Sequence, residues 1–257
     1  MFALETLFNP AQKARLAEAI PRRVSCRAYD APLSAGEWAA LSYAAGRYQT
    51  PGARLCLMHV EESLFTGTLL STGRVTGCTA VAAVIASSAV TRSKVHAGIL
   101  GEAFALEAVA MGLGCCWMTG SYRRKKLEVP LQAGEAVLGV IALGHPAPGA
   151  DSPEGRRRKP VEKLCKGDLR AWPQELCRAA QAVQLAPSAM NLQPWEMSLK
   201  GNRFIIDASD RAQLELGIAL CHGEVTLTTP HAWHYGMGWR EPAAWAEART
   251  GYAAPDR

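Results

Sequence analysis

The stretch Ala186–Trp195 reads Ala-Pro-Ser-Ala-Met-Asn-Leu-Gln-Pro-Trp and carries the most informative local signals in the chain. Upstream, apolar residues recur at helical spacing over Glu175–Leu185, so the sequence predicts a helix that ends before Pro187. Downstream, the alternation in Trp195–Leu199 and a second apolar segment, Phe204–Ile206, predict a β-hairpin. Because its two prolines restrict the backbone, the stretch is predicted to be a stiff loop between a helix and a hairpin.

The polar side chains of this loop are Ser188, Asn191 and Gln193. Their hydroxyl and amide groups both donate and accept hydrogen bonds. Neutral groups on a stiff loop suit a flat polar heterocycle better than a metal ion or a proton transfer. The alternative is a proline-capped turn whose polar groups only satisfy the backbone, and the spacing alone does not separate the two.

The composition predicts a soluble globular protein, with 257 residues of which 49% are hydrophobic and 20% are charged. The longest apolar run, Thr79–Val90, is too short to span a bilayer, and the N-terminal sequence does not resemble a signal peptide. Eight cysteines without a Cys-x-x-Cys pair are typical of reduced thiols. We therefore expect a cytoplasmic protein without a membrane partner.

The net charge of +5 comes from clustered basic residues, which include the runs Arg123–Lys126 and Arg156–Lys159. No aromatic residues alternate with these runs, so a nucleic-acid surface is weakly supported and no nucleic-acid partner is expected. A solvated charged face is the default interpretation of a single run. Phosphate binding becomes the sharper interpretation where two runs converge near a hydroxyl or a helix N-terminus.

A third basic segment follows a helix that the sequence predicts over Pro10–Ala19. Alternation predicts an extended strand with Arg23, Ser25 and Arg27 on one face, together with Tyr29. Two guanidiniums beside a hydroxyl can bind a phosphate monoester through charge-assisted hydrogen bonds. A solvated edge strand is the alternative.

Four stretches together resemble the nitroreductase family and cover roughly two thirds of the chain. Arg23–Tyr29, Arg-x-Ser-x-Arg-x-Tyr, resembles the flavin-phosphate motif of the family, and Ala186–Trp195 resembles its second signature. Gly101–Gly120 is similar to the long central helix of the family, its Gly-Leu-Gly turn and its flavin-contacting strand. Val137–His145 and Arg157–Val161 resemble the closing strand and the basic Lys-Pro segment that follows it.

The order of these motifs departs from the usual family pattern. In ordinary members the Pro-Ser-x-x-Asn-x-Gln-Pro-Trp loop follows soon after the Arg-x-Ser-x-Arg segment, whereas here it follows the basic Lys-Pro segment. Members are usually homodimers in which this loop reaches the flavin from the partner. The resemblance therefore implies an intrachain pseudo-dimer. Residues 1–165 would form a nitroreductase-like first half, and residues 166–257 a truncated second half that completes the flavin site.

The resemblance also implies a fold and an activity. The fold is α+β, with a central, mainly antiparallel sheet wrapped by helices. The activity is FMN-dependent oxidoreduction with ping-pong hydride transfer from NADH or NADPH, through flavin N5, to an electron-poor acceptor such as a nitro compound or a quinone. The flavin carries the chemistry, so no catalytic side chain is assigned. The residues assigned to FMN binding are Arg23, Val24, Ser25, Arg27, Thr119, Gly120, Arg157, Arg158, Lys159, Pro187, Ser188, Asn191 and Gln193.

Two other functions stay open at this point. One is a flavin-binding carrier, a sensor or a degenerate paralogue with little turnover. The other is a cofactor-free or zinc-binding structural protein that uses Cys221, His222, His231 and His234, whose spacing matches no closed zinc site. We expect no metal. A pseudo-dimer predicts a monomer, and a homodimer is the alternative.

Two further expectations concern the second half of the chain. Leu100-Gly101 precedes Trp117 by the same spacing as Leu216-Gly217 precedes Trp233, as expected for an internal repeat. The acceptor pocket is expected to use variable segments, for which 64–74 and 233–239 are the candidates.

Overall fold

The computed structural model describes residues 2–65, 74–150, 152–236 and 243–248. These residues form five α-helices and ten β-strands, and the α+β class predicted from the sequence is confirmed. The helices are α1 (Pro10–Ala19), α2 (Ala35–Arg47), α3 (Ser93–Ala110), α4 (Gln174–Gln184) and α5 (Gln213–Thr226). The strands are β1 (Tyr29–Ala31), β2 (Ala53–His59), β3 (Ala80–Ser87), β4 (Gly114–Met118), β5 (Glu135–Pro146), β6 (Cys165–Lys166), β7 (Trp195–Lys200), β8 (Arg203–Ala208), β9 (His231–Tyr235) and β10 (Ala244–Ala248).

The first sheet has the order β1-β5-β3-β2, and β4 also pairs with β5. Each of these pairings is antiparallel. The apolar run Thr79–Val90 contains β3, which lies inside the sheet and is buried from Ala80 to Ala86. Ala82 and Val84 pack in the main hydrophobic core, whereas Val81 packs in a second cluster. Since both faces of β3 are covered, its sequence is continuously apolar rather than alternating.

The second sheet has the order β6-β7-β8-β10-β9 and repeats the connectivity of the first. In each half, a helix leads into an antiparallel strand pair, then a buried central helix, then a second antiparallel pair. The strand order β2-β3-β5-β4 in the first half corresponds to β7-β8-β10-β9 in the second. The short strand β6 pairs in parallel with β7, so the predicted boundary after residue 165 falls inside a strand of the second sheet. The pseudo-dimer itself stays a prediction.

The two central helices join the halves. α3 packs on the first sheet, α5 packs on the second, and the helices pack against each other. An ideal Cβ on Gly98 would lie 2.1 Å from Leu214 O, and one on Gly217 would lie 2.0 Å from Val95 O. This reciprocal contact relates Gly98 to Gly217, whereas the sequence spacing aligns Gly101 with Gly217. Within the described ranges, no helix combines the length and apolarity that a membrane span requires.

Most elements predicted around the motifs are present in the structure. α1 begins and ends where the sequence predicts it, and the predicted helix, loop and hairpin around Ala186–Trp195 correspond to α4, a loop, β7 and β8. The long helix within Gly101–Gly120 is the C-terminal part of α3, and β4 follows it. The predicted strand Val137–His145 lies within β5.

The strand predicted over Arg23–Tyr29 is wrong, because β1 begins only at Tyr29. The preceding residues bond to the end of α1 and form isolated bridges with one residue of β4 and with Thr76, rather than a continuous ladder. Arg23 N donates to Ala19 O at 2.9 Å, and Ser25 forms an isolated bridge with Cys115. Tyr29 packs in the second hydrophobic cluster, and its hydroxyl donates to Cys26 O at 2.7 Å.

Glu175, in the first turn of α4, anchors the turn that follows α5. Its carboxylate accepts hydrogen bonds from Thr228 Oγ1 at 2.7 Å and from Thr229 N at 2.8 Å. Burial raises the pKa of Glu175, but the hydrogen bonds from both threonines outweigh it and lower the pKa to about 2. Because the folded-state pKa lies below the ordinary value of 4.5, the stabilisation is complete above about pH 4.5. It is lost as the pH falls towards 2.

We expect Glu175→Gln to lower the free energy of unfolding at pH 7 by about 1–2 kcal/mol, after allowing for solvent screening of a half-buried group. The difference from the wild type should shrink as the pH falls below 4.5, because the Glu175 carboxylate then takes up a proton in the unfolded wild-type chain but not yet in the folded one. Urea denaturation of both proteins at pH 7 and pH 3 measures this. An equal difference at the two pH values would contradict the assignment.

Candidate functional site

A cavity of about 940 Å³ lies between the two halves of the chain. The first half contributes residues 23–25, 27, 117–121, 152 and 155–158. The second half contributes residues 187–191, 214, 215 and 218. Neither half could form this cavity alone, since the loop after α4 and the start of α5 close the side that the first half leaves open.

Arg23 is the most unusual residue of the cavity. Its side chain is 1% exposed, and none of its guanidinium nitrogens has a hydrogen-bond partner among the described residues. Val24, Ser25 and Arg27 line the cavity beside it, and Arg27 Nη1 donates to Ser25 O at 3.0 Å. Burial removes the hydration of a guanidinium, so one without hydrogen-bond partners marks a place for an anionic ligand.

The basic run folds back over this segment. Arg156 Nη1 donates to Arg23 O at 2.6 Å, and Arg158 Nη1 donates to Asn191 Oδ1 at 2.8 Å. Arg156 therefore binds the segment that contains Arg23, and Arg158 binds the loop that contains Asn191. Arg157 is exposed at the cavity wall. Burial, together with the charges of Arg23 and Arg156, lowers the pKa of Arg158 to about 10. The guanidiniums are thus close enough to repel one another.

The loop Pro187–Gln193 has an uncommon backbone conformation. Met190, Asn191 and Gln193 have positive φ angles of 51°, 57° and 45°. Asparagine tolerates this region better than most residues, and non-glycine residues adopt it at a cost. Ser188 Oγ accepts a hydrogen bond from Gln193 N at 2.8 Å and closes the loop. Such strain is often found at ligand sites, where the surrounding structure maintains it.

Two of the predicted site residues, Lys159 and Gln193, do not line the cavity. Gln193 is 1% exposed, and its Oε1 accepts from Lys159 N at 2.8 Å while its Nε2 donates to Gln184 O at 3.0 Å. Lys159 Nζ donates to Leu192 O at 2.7 Å. Both residues connect the loop to the basic run through hydrogen bonds that lie outside the cavity. The remaining predicted residues come together at the cavity wall; they are Arg23, Val24, Ser25, Arg27, Thr119, Gly120, Arg157, Arg158, Pro187, Ser188 and Asn191.

The apolar walls were not predicted from the sequence. Trp117 comes from β4, and Leu214 and Ile218 come from the start of α5. Leu214 and Ile218 have the helical spacing of core residues, so no local signal separates a cavity wall from a core contact. Arg156 was also missed, although it belongs to the same basic run as its two neighbours.

The two segments considered for the acceptor pocket do not line this cavity where they are described. Residues 66–73 and 237–239 of those segments lie outside the described residues.

The histidines considered for zinc are engaged elsewhere. His222 Nε2 lies 2.8 Å from Glu102 Oε1, and His231 Nε2 lies 2.7 Å from Glu224 Oε2. In the part of the chain that the structure describes, no group of three or more potential ligands could hold a metal ion.

The chain is similar to known proteins in both sequence and fold. The family described as "Putative TM nitroreductase" matches residues 15–227. The fold is similar to that of a "putative nitroreductase" from Thermotoga maritima, with a TM-score of 0.63, 21% identity, and coverage of 90% of this chain and 93% of that chain.

Two further structures are similar to shorter parts of the chain. A nitroreductase family protein from Clostridium difficile has 16% identity and a TM-score of 0.46, and the match covers 59% of this chain and 97% of that chain. A "Putative NADH dehydrogenase/NAD(P)H nitroreductase" from Parabacteroides distasonis has 18% identity and a TM-score of 0.48, and the match covers 60% of this chain and 98% of that chain. A search of curated proteins found no match. Since the family match spans most of the sequence, this chain belongs to the nitroreductase family of oxidoreductases.

Proposed function

We propose that this protein uses FMN to transfer hydride, by ping-pong kinetics through flavin N5, from NADH or NADPH to an electron-poor small molecule such as a nitro compound or a quinone. One observation carries the proposal. The buried guanidinium of Arg23 has no hydrogen-bond partner among the described residues, and it lies in a cavity that both halves of the chain form.

The cations around Arg23 fit a phosphate monoester. Burial and the charge of Arg23 lower the pKa of Arg156, and Arg158 is affected in the same way. Arg158 Nε is also buried without a hydrogen-bond partner. A dianionic phosphate would relieve the repulsion among these guanidiniums and accept hydrogen bonds from their free N–H groups. The hydroxyl of Ser25 would be a further donor. Arg157 adds an exposed cation at the rim.

The remaining walls fit a flat ring with polar edges. Trp117, Leu214 and Ile218 supply apolar surface, and Ser188 and Asn191 supply groups that donate and accept. The volume of about 940 Å³ lies near the upper end of the usual range for ligand pockets, which leaves space for a second substrate beside the ring.

The backbone after β4 also lines the cavity, at Thr119 and Gly120. An ideal Cβ on Gly120 would meet no atom within 4 Å, so a ligand can approach this backbone closely. We assign Thr119 and Gly120 to present a backbone N–H towards flavin N5. These contacts bind and orient, and no side chain is needed as a general acid or base for hydride transfer.

The proposed activity is tested by adding NADH or NADPH to the FMN-loaded protein without oxygen. Bleaching of the flavin absorbance, followed by recovery when a quinone is added, is the expected result. Bound FMN that neither nicotinamide reduces would contradict an enzyme and would favour a flavin carrier or sensor. A protein that binds no FMN would contradict both.

The repeat supports a single site per chain. By the relation of Gly98 to Gly217, His96 of α3 corresponds to Glu215 of α5, which lines the cavity. The ring of Phe2 packs against His96 with centroids 4.9 Å apart, so the N-terminal segment covers the corresponding position. The first half also connects α2 to β2 through a shorter loop than the one before β7. We therefore propose a pseudo-dimer with one FMN site, for which a monomer suffices.

Asn191 offers a test of the second-half loop. Its Oδ1 accepts from Arg158, its Nδ2 donates to Arg157 O at 3.1 Å, and its φ is positive. We expect Asn191→Ala to weaken FMN binding by roughly 10- to 30-fold, because it removes both bonds and strains the backbone.

Asn191→Gly separates these two causes, since glycine tolerates the positive φ. We expect an intermediate FMN dissociation constant for this variant, measured by flavin fluorescence quenching. Wild-type affinity in both variants would mean that the loop does not take part in the site.

A further inference from the structure

We infer that Glu102, a residue outside the cavity lining, positions Arg23 to bind the phosphate group, and this inference rests on the proposed FMN function. Glu102 lies in the middle of α3, and its side chain is completely buried. Its charge balances that of Arg23 without occupying the guanidinium N–H groups. Arg23 is thereby held in place while its donors stay available to an anionic ligand.

Both carboxylate oxygens of Glu102 are engaged by other residues. Oε1 lies 2.8 Å from His222 Nε2, and Oε2 accepts a hydrogen bond from Trp117 Nε1 at 2.7 Å. These bonds come from α5 and β4, and together they fix the plane of the carboxylate. Arg23 Nε lies 3.7 Å from Oε1, which is within ion-pair range but too long for a hydrogen bond.

The charges explain why Arg23 needs this neighbour. A buried cation without a counter-charge is strongly destabilising, and Arg156 and Arg158 add further positive charge nearby. The charge of Glu102 raises the pKa of Arg158, opposite to the effect of the arginines. Glu102 therefore provides negative charge for Arg23 and, more weakly, for Arg158. A hydrogen-bonded ion pair would occupy N–H groups of Arg23, whereas the observed separation of 3.7 Å leaves them available.

His222 fixes Glu102 from the second half of the chain. Its Nδ1 lies 2.8 Å from Ala182 O in α4, and its Nε2 lies 2.8 Å from Glu102 Oε1. The imidazole therefore ties the carboxylate to the backbone of α4. The position of Arg23, in the first half, thus depends on α4 and α5.

A chemically similar cluster lies in the other half and provides a matched control. Glu224 Oε2 accepts from Trp233 Nε1 at 2.7 Å and lies 2.7 Å from His231 Nε2. Its cation is Lys13, which contacts the carboxylate directly and donates to Leu227 O at 3.1 Å. Because none of these residues lines the cavity, this cluster has a carboxylate, a histidine and an indole but no role at the site.

The experiment compares FMN with riboflavin, which lacks the phosphate. Flavin-stripped wild-type, Glu102→Gln and Glu224→Gln proteins are titrated with each compound, and flavin fluorescence quenching gives the dissociation constants. In the wild type, FMN should bind more tightly than riboflavin. We expect Glu102→Gln to reduce this preference roughly 10- to 100-fold while riboflavin affinity changes less than about threefold. Glu224→Gln should keep the wild-type preference.

Three results would overturn the inference while leaving FMN binding by the wild type intact. They are an unchanged preference in Glu102→Gln, an equal loss of FMN and riboflavin affinity in that variant, and a similar loss of preference in Glu224→Gln. A wild type that binds neither compound would instead contradict the proposed function.

A double variant covers the case in which Glu102→Gln fails to fold. Arg23→Gln/Glu102→Gln removes both charges, so we expect it to fold and to bind FMN and riboflavin with similar affinity. Urea denaturation then tests the coupling. Glu102→Gln should prevent folding or shift the midpoint strongly in the wild type, whereas the double variant should have nearly the midpoint of Arg23→Gln alone. A double variant that is as impaired relative to Arg23→Gln as Glu102→Gln is relative to the wild type would overturn the inference.

Discussion

Arg23→Ala is expected to weaken FMN binding by roughly 100-fold or more, because it removes a buried cation whose N–H groups have no hydrogen-bond partner among the described residues. The arrangement is poorly explained by folding alone. A guanidinium that is 1% exposed is costly to bury while its donors are unsatisfied, and the proposed phosphate group would satisfy them. Equilibrium titration with FMN measures the effect.

The matched control for this change is Arg22→Ala. Arg22 precedes Arg23 in the same turn, but it is exposed and its Nε donates to Glu18 O at 3.3 Å. FMN affinity should therefore stay within about threefold of the wild type. Equal losses in the two variants would indicate a general electrostatic effect of the basic surface, and would remove Arg23 from the site.

Gly217→Ala is expected to lower the free energy of unfolding by about 3 kcal/mol or more, or to prevent folding. The new methyl group would lie 2.0 Å from Val95 O and 2.9 Å from Gly98 Cα. These neighbours are backbone atoms, which cannot rotate away, so α3 and α5 must separate. Since α3 and α5 join the two sheets, the cavity between the halves should be lost with the contact.

Gly36→Ala is the control for this prediction. Gly36 lies in the first turn of α2, and an ideal Cβ on it would meet no atom within 4 Å. Alanine should be neutral or stabilise by about 0.5–1 kcal/mol, because it favours helix and reduces the entropy of the unfolded chain. Urea denaturation compares the three proteins. A Gly217→Ala protein of wild-type stability would contradict the close approach of α3 and α5.

The sequence predicted best those features that depend on local chemistry. The helix before Pro187, the loop and the hairpin after it follow from short-range spacing and from proline, and they are present. Arg23–Tyr29 was assigned to a strand because its residues alternate, but its backbone bonds to the end of α1 and to Cys115. Alternation does not show whether a strand partner is available, and here the residues before Tyr29 form isolated bridges, Ser25 with Cys115 and Ala28 with Thr76, rather than a ladder.

The features missed in the site depend on contacts between distant segments. Leu214 and Ile218 become cavity walls only because α5 packs across α3 and faces the first half. Gln193 and Lys159 carry the residue types of the family motif, yet their side chains bond to backbone atoms behind the loop. Glu102 occupies the interior of an apolar helix, where the sequence shows an isolated acidic residue and no sign of its partners.

The measurement that tests the central claim most directly is the stoichiometry of FMN binding to the flavin-stripped chain, combined with the mass of the complex in solution. A single composite site predicts one FMN per chain, bound by a monomer as well as by any larger assembly. Two FMN molecules per chain would contradict the proposal that the N-terminal segment covers the position around His96, which corresponds to the cavity. One FMN per two chains would contradict a site completed within one chain, and no retained flavin would contradict the account as a whole.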